Sequence, residues 1–326
     1  MILDATCAPQ NIEFPQDINL LSKGRENLEK IIDDVCEENG LKKPRMYRKV
    51  ARKAHLRIAK SRRKPAKKLR AAIRQQLQYI RRDLRYIDEF TASGYTLKMK
   101  QAERVNIVRK LYSQQKQMYD EGTHRVADRI VSIDQPYVRP IVRGKAASPV
   151  EFGAKLDMSL DERGLCRVEK LSFDAYNESE VLQIAAERYK ERSGHYPERI
   201  LVDKIYRTRE NRDFCKTHGI HMSGRGPGRP SADGGAARRE EHRDDVARNE
   251  VERFFSREKR TCGAALIVTK LSCTTLASIA LSVLVANMFG VPLAGGSFFV
   301  VYFLDGMEDA PEWHFCEFSG KSEESV

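Results

Sequence analysis

The sequence predicts an α/β fold, with strands and helices sharing one chain. Three observations predict it. Alternating apolar and polar residues mark a hairpin near the middle of the chain. Apolar residues at helical spacing mark amphipathic helices on either side of that hairpin. A long basic segment, also with helical spacing, separates a short apolar start from the rest.

Met1, Ile2 and Leu3 form a very short apolar lead into Asp4. Residues 11–21 carry Pro15, Asp17 and Asn19 and are expected to turn between short strands. Within 25–121, Leu28, Ile31, Ile32 and Val35, then Leu69, Ile73, Leu77 and Ile80, recur at helical spacing, so two or more helices are expected. Residues 126–133 are rich in β-formers, with Pro136 and Pro140 after them. Residues 150–158 and 165–173 alternate on either side of a turn at 161–164, the pattern of an antiparallel hairpin. Residues 178–192 read as an amphipathic helix with Val181, Leu182, Ile184, Ala185 and Tyr189 inward, ended by Gly194 and Pro197. A short strand at 199–202 runs into Asp203, and 211–217 reads as helix. The density of Gly and Pro in 223–235 excludes regular structure there. Residues 240–260 form a strongly charged helix.

Charge narrows the partner. The chain has 58 Lys and Arg against 46 Asp and Glu, a formal net charge of +12, which favours a polyanion. Composition by itself fits nucleic acid and an anionic membrane surface equally. The bias is concentrated, because 41–85 holds 19 Lys or Arg and a single acid, Asp83. Ordinary solvated helix faces mix both signs. Contact with a DNA backbone is the sharper reading, with Tyr47, Tyr79 and Tyr86 interleaved. The 7 cysteines include no CxxC pair and read as reduced thiols of a cytoplasmic protein. The first fifteen residues lack the pattern of a signal peptide.

Asp4 and Asp203 each follow a short apolar run. A carboxylate at the end of a buried strand is held rigidly where it can meet others, although an Asp in that place also serves as a turn residue or helix cap. On the charged helix, Arg248, Glu252 and Lys259 fall at about 0°, 40° and 20° around the axis and form one polar stripe. The plainer reading of Arg248 and Glu252 is a surface pair four residues apart, which contributes little.

The spacing Arg, three residues, Glu, six residues, Lys resembles the helix motif of insertion-sequence transposases of the IS-four and IS-five groups. The Tyr that opens the motif is replaced here by Asp245. Val251-Glu-Arg-Phe-Phe255 resembles the IS-five form. Asp4-Ala-Thr-Cys-Ala-Pro9 with Phe14-Pro-Gln-Asp17 resembles that group's first catalytic strand and its sequel. Gln135-Pro-Tyr-Val-Arg-Pro140, Arg143-Gly-Lys145 and Glu151-Phe-Gly-Ala-Lys155 resemble its central block. Asp203-Lys-Ile-Tyr-Arg-Thr-Arg-Glu-Asn211 resembles its second catalytic strand. The resemblance covers roughly 1–285.

The resemblance implies a ribonuclease-H-like core, a mixed sheet flanked by helices, with a helical insertion after the first strand. It divides the chain into 1–24 and 126–289 for the core, 25–125 for the insertion, and 290–326 as a C-terminal extension. It implies that Asp4, Asp203 and Glu252 bind metal and catalyse, with Arg248 and Lys259 near the phosphates. Arg62, Arg63, Lys67 and Lys68 are the expected DNA contacts of the insertion. Oxygen-only ligands select hard cations, Mg²⁺ or Mn²⁺. Two such ions about 3.5–4 Å apart serve both the attacking and the leaving oxygen of a phosphodiester. The implied partners are transposon ends and target DNA, with a homo-oligomer on DNA, no small-molecule cofactor and no membrane. Family members carry a helical DNA-binding region before the first catalytic Asp, and that region is expected to be missing here. The rival reading is a non-catalytic DNA-binding remnant of a transposase.

Weaker features have plainer explanations. His218 with His221, and His314 with Cys316, lack the second half of a zinc site. Gly224, Gly226 and Gly228 lack the Lys-Ser/Thr of a phosphate-binding loop, although Arg225 and Arg229 beside them could touch DNA. Residues 271–304 hold no charge, but Gly290 and Pro292 divide them into pieces shorter than a membrane span. A core helix at about 276–289 and a buried strand at 296–304 are expected.

Overall fold

The structure is a computed structural model that describes residues 1–142, 150–224 and 234–290. Arg143-Gly-Lys145, Arg225, Arg229, the 296–304 run, His314 and Cys316, and 291–326 as a whole, lie outside the described residues.

A mixed sheet and two sets of helices make up the fold. Strand β1 (Ile2–Pro9) leads into four helices, α1 (Asp17–Glu38), α2 (Arg48–Ala59), α3 (Ala66–Ala92) and α4 (Met99–Glu121). Strands β2 (Arg139–Val142), β3 (Val150–Leu160) and β4 (Cys166–Ser172) follow. Then come α5 (Val181–Ser193), β5 (Arg199–Val202), α6 (Arg209–Thr217), β6 (His221–Met222), α7 (Gly234–Thr261) and α8 (Ser272–Gly290).

The sheet runs β2-β3-β1-β5-β6, with β4 also pairing β3. β3 is antiparallel to β1, β2 and β4, while β5 is parallel to β1 and to β6. The β1–β3 ladder is unbroken from Ile2 opposite Leu160 to Pro9 opposite Gly153. At that last pair a Cβ on residue 153 would overlap the Ala8 carbonyl oxygen, so only glycine lets the strands close there.

Strand alternation assigns the two faces. Ile2, Ala8, Leu156, Met158 and Leu160 pack with Val251, Phe254 and Phe255 of α7 and Ile279, Val283 and Ala286 of α8. On the other face, Leu3, Ile200 and Val202 pack with Leu182, Ala185 and Ala186 of α5 and Cys215 of α6. Helices α1, α3 and α4 have a core of their own, built on Leu21, Leu28, Ile32, Ile80, Ile87, Val108 and Leu111.

Some sequence expectations need correction. Residues 11–21 do not form a turn between strands, because α1 starts at Asp17 and buries Ile18, Leu20 and Leu21. Pro15 and Asp17 mark the start of a helix there rather than a reversal. Residues 126–133 form no strand. Ile130 and Ile133 are apolar because they pack on the helical core, and the Ile130 N–H goes to the Gln114 side chain instead of a ladder. Ile184 is 45% exposed and lies outside the inner face of α5, where Ala186 takes its place. The helix expected at 240–260 reaches back to Gly234.

The hairpin expected around 161–164 is β3 and β4. The expected core helix is α8, which turns Thr275, Ile279, Ser282, Val283, Ala286 and Asn287 inward. Asn287 clasps Cys166 of β4, accepting from its N–H and donating to its carbonyl, both at 2.8 Å. Leu281, Met288 and Phe289 face outward, and, against the expectation that Gly290 leaves pieces too short to span, α8 is long and apolar enough, by length and composition, to cross a membrane.

Candidate active site

Asp4 sits third in an eight-residue strand, not at its end as the sequence suggests. Its position is decided by the neighbouring strand. The parallel ladder pairs Ile2 with Leu201 and Leu3 with Val202, then stops. Asp4 and Asp203 are therefore the next residues in register. Asp203 keeps an extended backbone and caps a short 3-10 turn, Lys204–Tyr206, accepting the Lys204 N–H at 2.7 Å. Ile2 and Ala8 face α7, so Asp4 does too. Ile200 and Val202 face α5 and α6, so Asp203 points the other way, also toward α7.

Helix α7 supplies the cation. Arg248 Nη1 lies 3.9 Å from Asp4 Oδ2 and 3.9 Å from Asp203 Oδ1. Asp244, one turn earlier, pairs with Arg199 at the start of β5, so α7 runs alongside β5 in the same direction. Burial pushes the Asp4 carboxyl up to about 6. The Ala5 N–H and Arg248 oppose that rise, while Asp203 and Glu178 add to it.

Glu252 is exposed and makes no hydrogen bond or ion pair with another described residue. It stands one turn beyond Arg248, about 6 Å along the axis. It lies at the edge of a stripe of buried Asp244, Val251, Phe255 and Glu258 with half-buried Arg248, and Lys259 on the same side is half-buried too. Among the described residues, no three His, Cys, Asp or Glu side chains are grouped closely enough to hold a metal ion. The structure thus brings Asp4, Asp203 and Arg248 together and leaves Glu252 one turn further along α7, facing solvent and outside any three-carboxylate group among the described residues.

Arg62, Arg63, Lys67 and Lys68 are all exposed, in the bend between α2 and α3 and the first turn of α3. None has an acidic partner among the described residues. A second basic region, the groove between α3 and α4 lined by Arg81, Arg82, Arg85, Arg109 and Lys116, differs in this respect. Its Arg82, Arg85, Arg109 and Lys116 pair with Asp83, Glu89, Asp88 and Asp120. The interleaved tyrosines are engaged within the chain: Arg82 lies over Tyr47 and Tyr79, and Arg85 over Tyr86.

Sequence reasoning missed a polar cluster on the opposite face of the sheet. Asp157 is fully buried in β3, with Tyr176 donating to Oδ2 at 2.5 Å and Tyr206 donating to Oδ1. Lys155 pairs with Glu178 at 2.7 Å next to them. The available signal was an Asp between Leu156 and Met158 in the core strand, a residue type almost never fully buried unless partnered.

Residues 200–289 match a family model described as Transposase DDE domain. That stretch is similar to a transposase catalytic segment. It contains Asp203, Arg248, Glu252 and Lys259, and the match supports a DDE transposase. No curated protein and no solved structure matches the chain.

Proposed function

We propose that this chain carries the catalytic core of a DNA transposase of the IS-five (IS-four-like) insertion-sequence group, cutting and joining DNA phosphodiesters. The observation that carries the reading is the pair Asp4 and Asp203, adjacent in register on parallel strands, with Arg248 of α7 over both. A ribonuclease-H-like core fits the mixed sheet, its flanking helices and the helical block after β1. The same reading keeps the division at 1–24, 25–125, 126–289 and 290–326.

Asp4, Asp203 and Glu252 would hold Mg²⁺ or Mn²⁺. The donor set fits, because it offers only carboxylate oxygens and the repulsion between Asp4 and Asp203 is relieved by a cation. Glu252 completes the set by turning inward from its place one turn beyond Arg248. When bound, two ions serve the attacking and leaving oxygens of an in-line displacement. Arg248 and Lys259 offset negative charge on the phosphate undergoing attack. Arg62, Arg63, Lys67 and Lys68 hold the DNA backbone, which positions the duplex without reading its sequence. Transposon ends and target DNA are the substrates, and a homo-oligomer assembled on DNA in the cytoplasm is the working form.

The experiment is cleavage of end-bearing DNA by the full chain with Mg²⁺ or Mn²⁺. Asp4→Asn, Asp203→Asn and Glu252→Gln should each lower the rate by about a hundredfold or more, the upper end of what even an outer-shell change costs at a metal site. Full activity in Glu252→Gln would remove Glu252 from the triad. Full activity in either Asp variant would sink the reading as a whole.

A further inference from the structure

The turn that follows Asp203 is pinned from beneath. Asp203 caps the Lys204–Tyr206 turn, and the Tyr206 N–H returns to the Asp203 carbonyl at 3.1 Å. Tyr206 is fully buried and passes to the α5–α6 face of the sheet, where its hydroxyl donates to Asp157. Its carbonyl is held by the Asn211 amide at 2.8 Å, and the same amide reaches the Ser179 carbonyl at 2.7 Å. Asp157 lies opposite Ala5 of β1, the residue after Asp4. The strand that presents Asp4 and the turn that presents Asp203 are thus joined through one buried carboxylate.

A buried carboxylate is costly unless its oxygens are satisfied. Here both are, each by a tyrosine. Burial, and then the Asp157 charge, push the Tyr206 hydroxyl far above its ordinary range, so it stays a donor. Nothing in simple packing requires this arrangement, since an apolar pair would fill the space without the desolvation cost.

We propose that Asp157 and Tyr206 are positioning residues: Asp157 holds the Tyr206 hydroxyl and so fixes the turn that aims Asp203 at the cation position beside Asp4. This rests on the metal-dependent function proposed above.

Two tyrosine variants of the full chain separate positioning from stability. Tyr206→Phe and Tyr176→Phe each remove one hydroxyl from the same carboxylate, but only Tyr206 belongs to the Asp203 turn. Tyr206→Phe should raise amide hydrogen exchange over 203–208 at least tenfold and weaken Mn²⁺ affinity several-fold. Tyr176→Phe should do neither. Asp157→Asn, which offers Tyr206 a neutral acceptor, should give a smaller change in the same direction as Tyr206→Phe and serves if that variant does not fold. Equal effects of the two tyrosine variants, no effect of Tyr206→Phe or of Asp157→Asn, or faster exchange without weaker Mn²⁺ binding would overturn the proposal. If the unaltered chain does not bind Mn²⁺, the metal-dependent function falls, and exchange over 203–208 still decides whether Asp157 anchors the turn.

Discussion

Asp203 is the register neighbour of Asp4, each one residue past the Leu3–Val202 pair that ends the parallel ladder. Two carboxylates placed this way repel, and Arg248 is the cation that approaches both. On the function proposed above, a divalent ion would compete with Arg248 for these two carboxylates.

Removing Arg248 should uncover that position. Arg248→Ala is expected to bind Mn²⁺ about tenfold more tightly without DNA, roughly 1.4 kcal/mol. Lys204→Ala, which deletes an exposed charge next to Asp203, is the control for a general charge effect and should change affinity much less. Titration of Mn²⁺ by electron paramagnetic resonance reads both. Unchanged or weaker binding by Arg248→Ala would show that Arg248 does not compete with the cation.

The bend between α2 and α3 should supply salt-sensitive DNA affinity. Each phosphate contact contributes about −0.9 to the slope of log K against log salt. Replacing Arg62, Arg63, Lys67 and Lys68 by Ala should make the slope shallower by about two to four units. Replacing Arg82, Arg85, Arg109 and Lys116 in the α3–α4 groove, which already have acidic partners, should have a smaller effect. An identical slope in the first variant would mark the bend as a solvated face.

Glu258 predicts a pH dependence of stability. It is buried on α7, its Oε2 lacks a hydrogen-bond partner among the described residues, and burial pushes its carboxyl up to about 7 from 4.5. Between those values the folded chain holds the proton and the unfolded chain does not. This group therefore favours folding at low pH, and its contribution is lost as pH rises toward 7. The loss is up to roughly 3 kcal/mol. Glu258→Gln should be more stable relative to the unaltered protein at pH 8 than at pH 5 in urea unfolding. A difference independent of pH would rule out this titration.

Asn287 ties α8 to β4 through both main-chain groups of Cys166. Asn287→Ala leaves a buried N–H and carbonyl unpaired, at about 1–3 kcal/mol each. A loss of about 2 kcal/mol or more is expected in urea unfolding. A loss under about half a kcal/mol would mean that water replaces the amide and that α8 is held by its apolar contacts.

Much of this protein is determined locally and was legible in the sequence. The β3–β4 hairpin and α5 follow from periodicity, because a strand or helix shows its buried face to anyone counting residues, while α7 and α8 follow from a charge-rich and a charge-free run. The stripe of Arg248, Glu252 and Lys259 follows from the helical repeat alone. Turn residues misread 11–21, and β-formers misread 126–133. There Leu20, Ile130 and Ile133 are apolar because they join the core of α1, α3 and α4, and a side chain's hydrophobicity does not say which surface will cover it. Tertiary structure decided the rest. Register between β1 and β5 sets Asp4 beside Asp203, although within its own strand Asp4 occupies no special place. Only the stacked sheet reveals that Asp157 is fully buried and held by Tyr176 and Tyr206, since those hydroxyls arrive from segments far along the chain. The sequence names the residues able to carry charge; strand register and helix placement determine which of those charges meet.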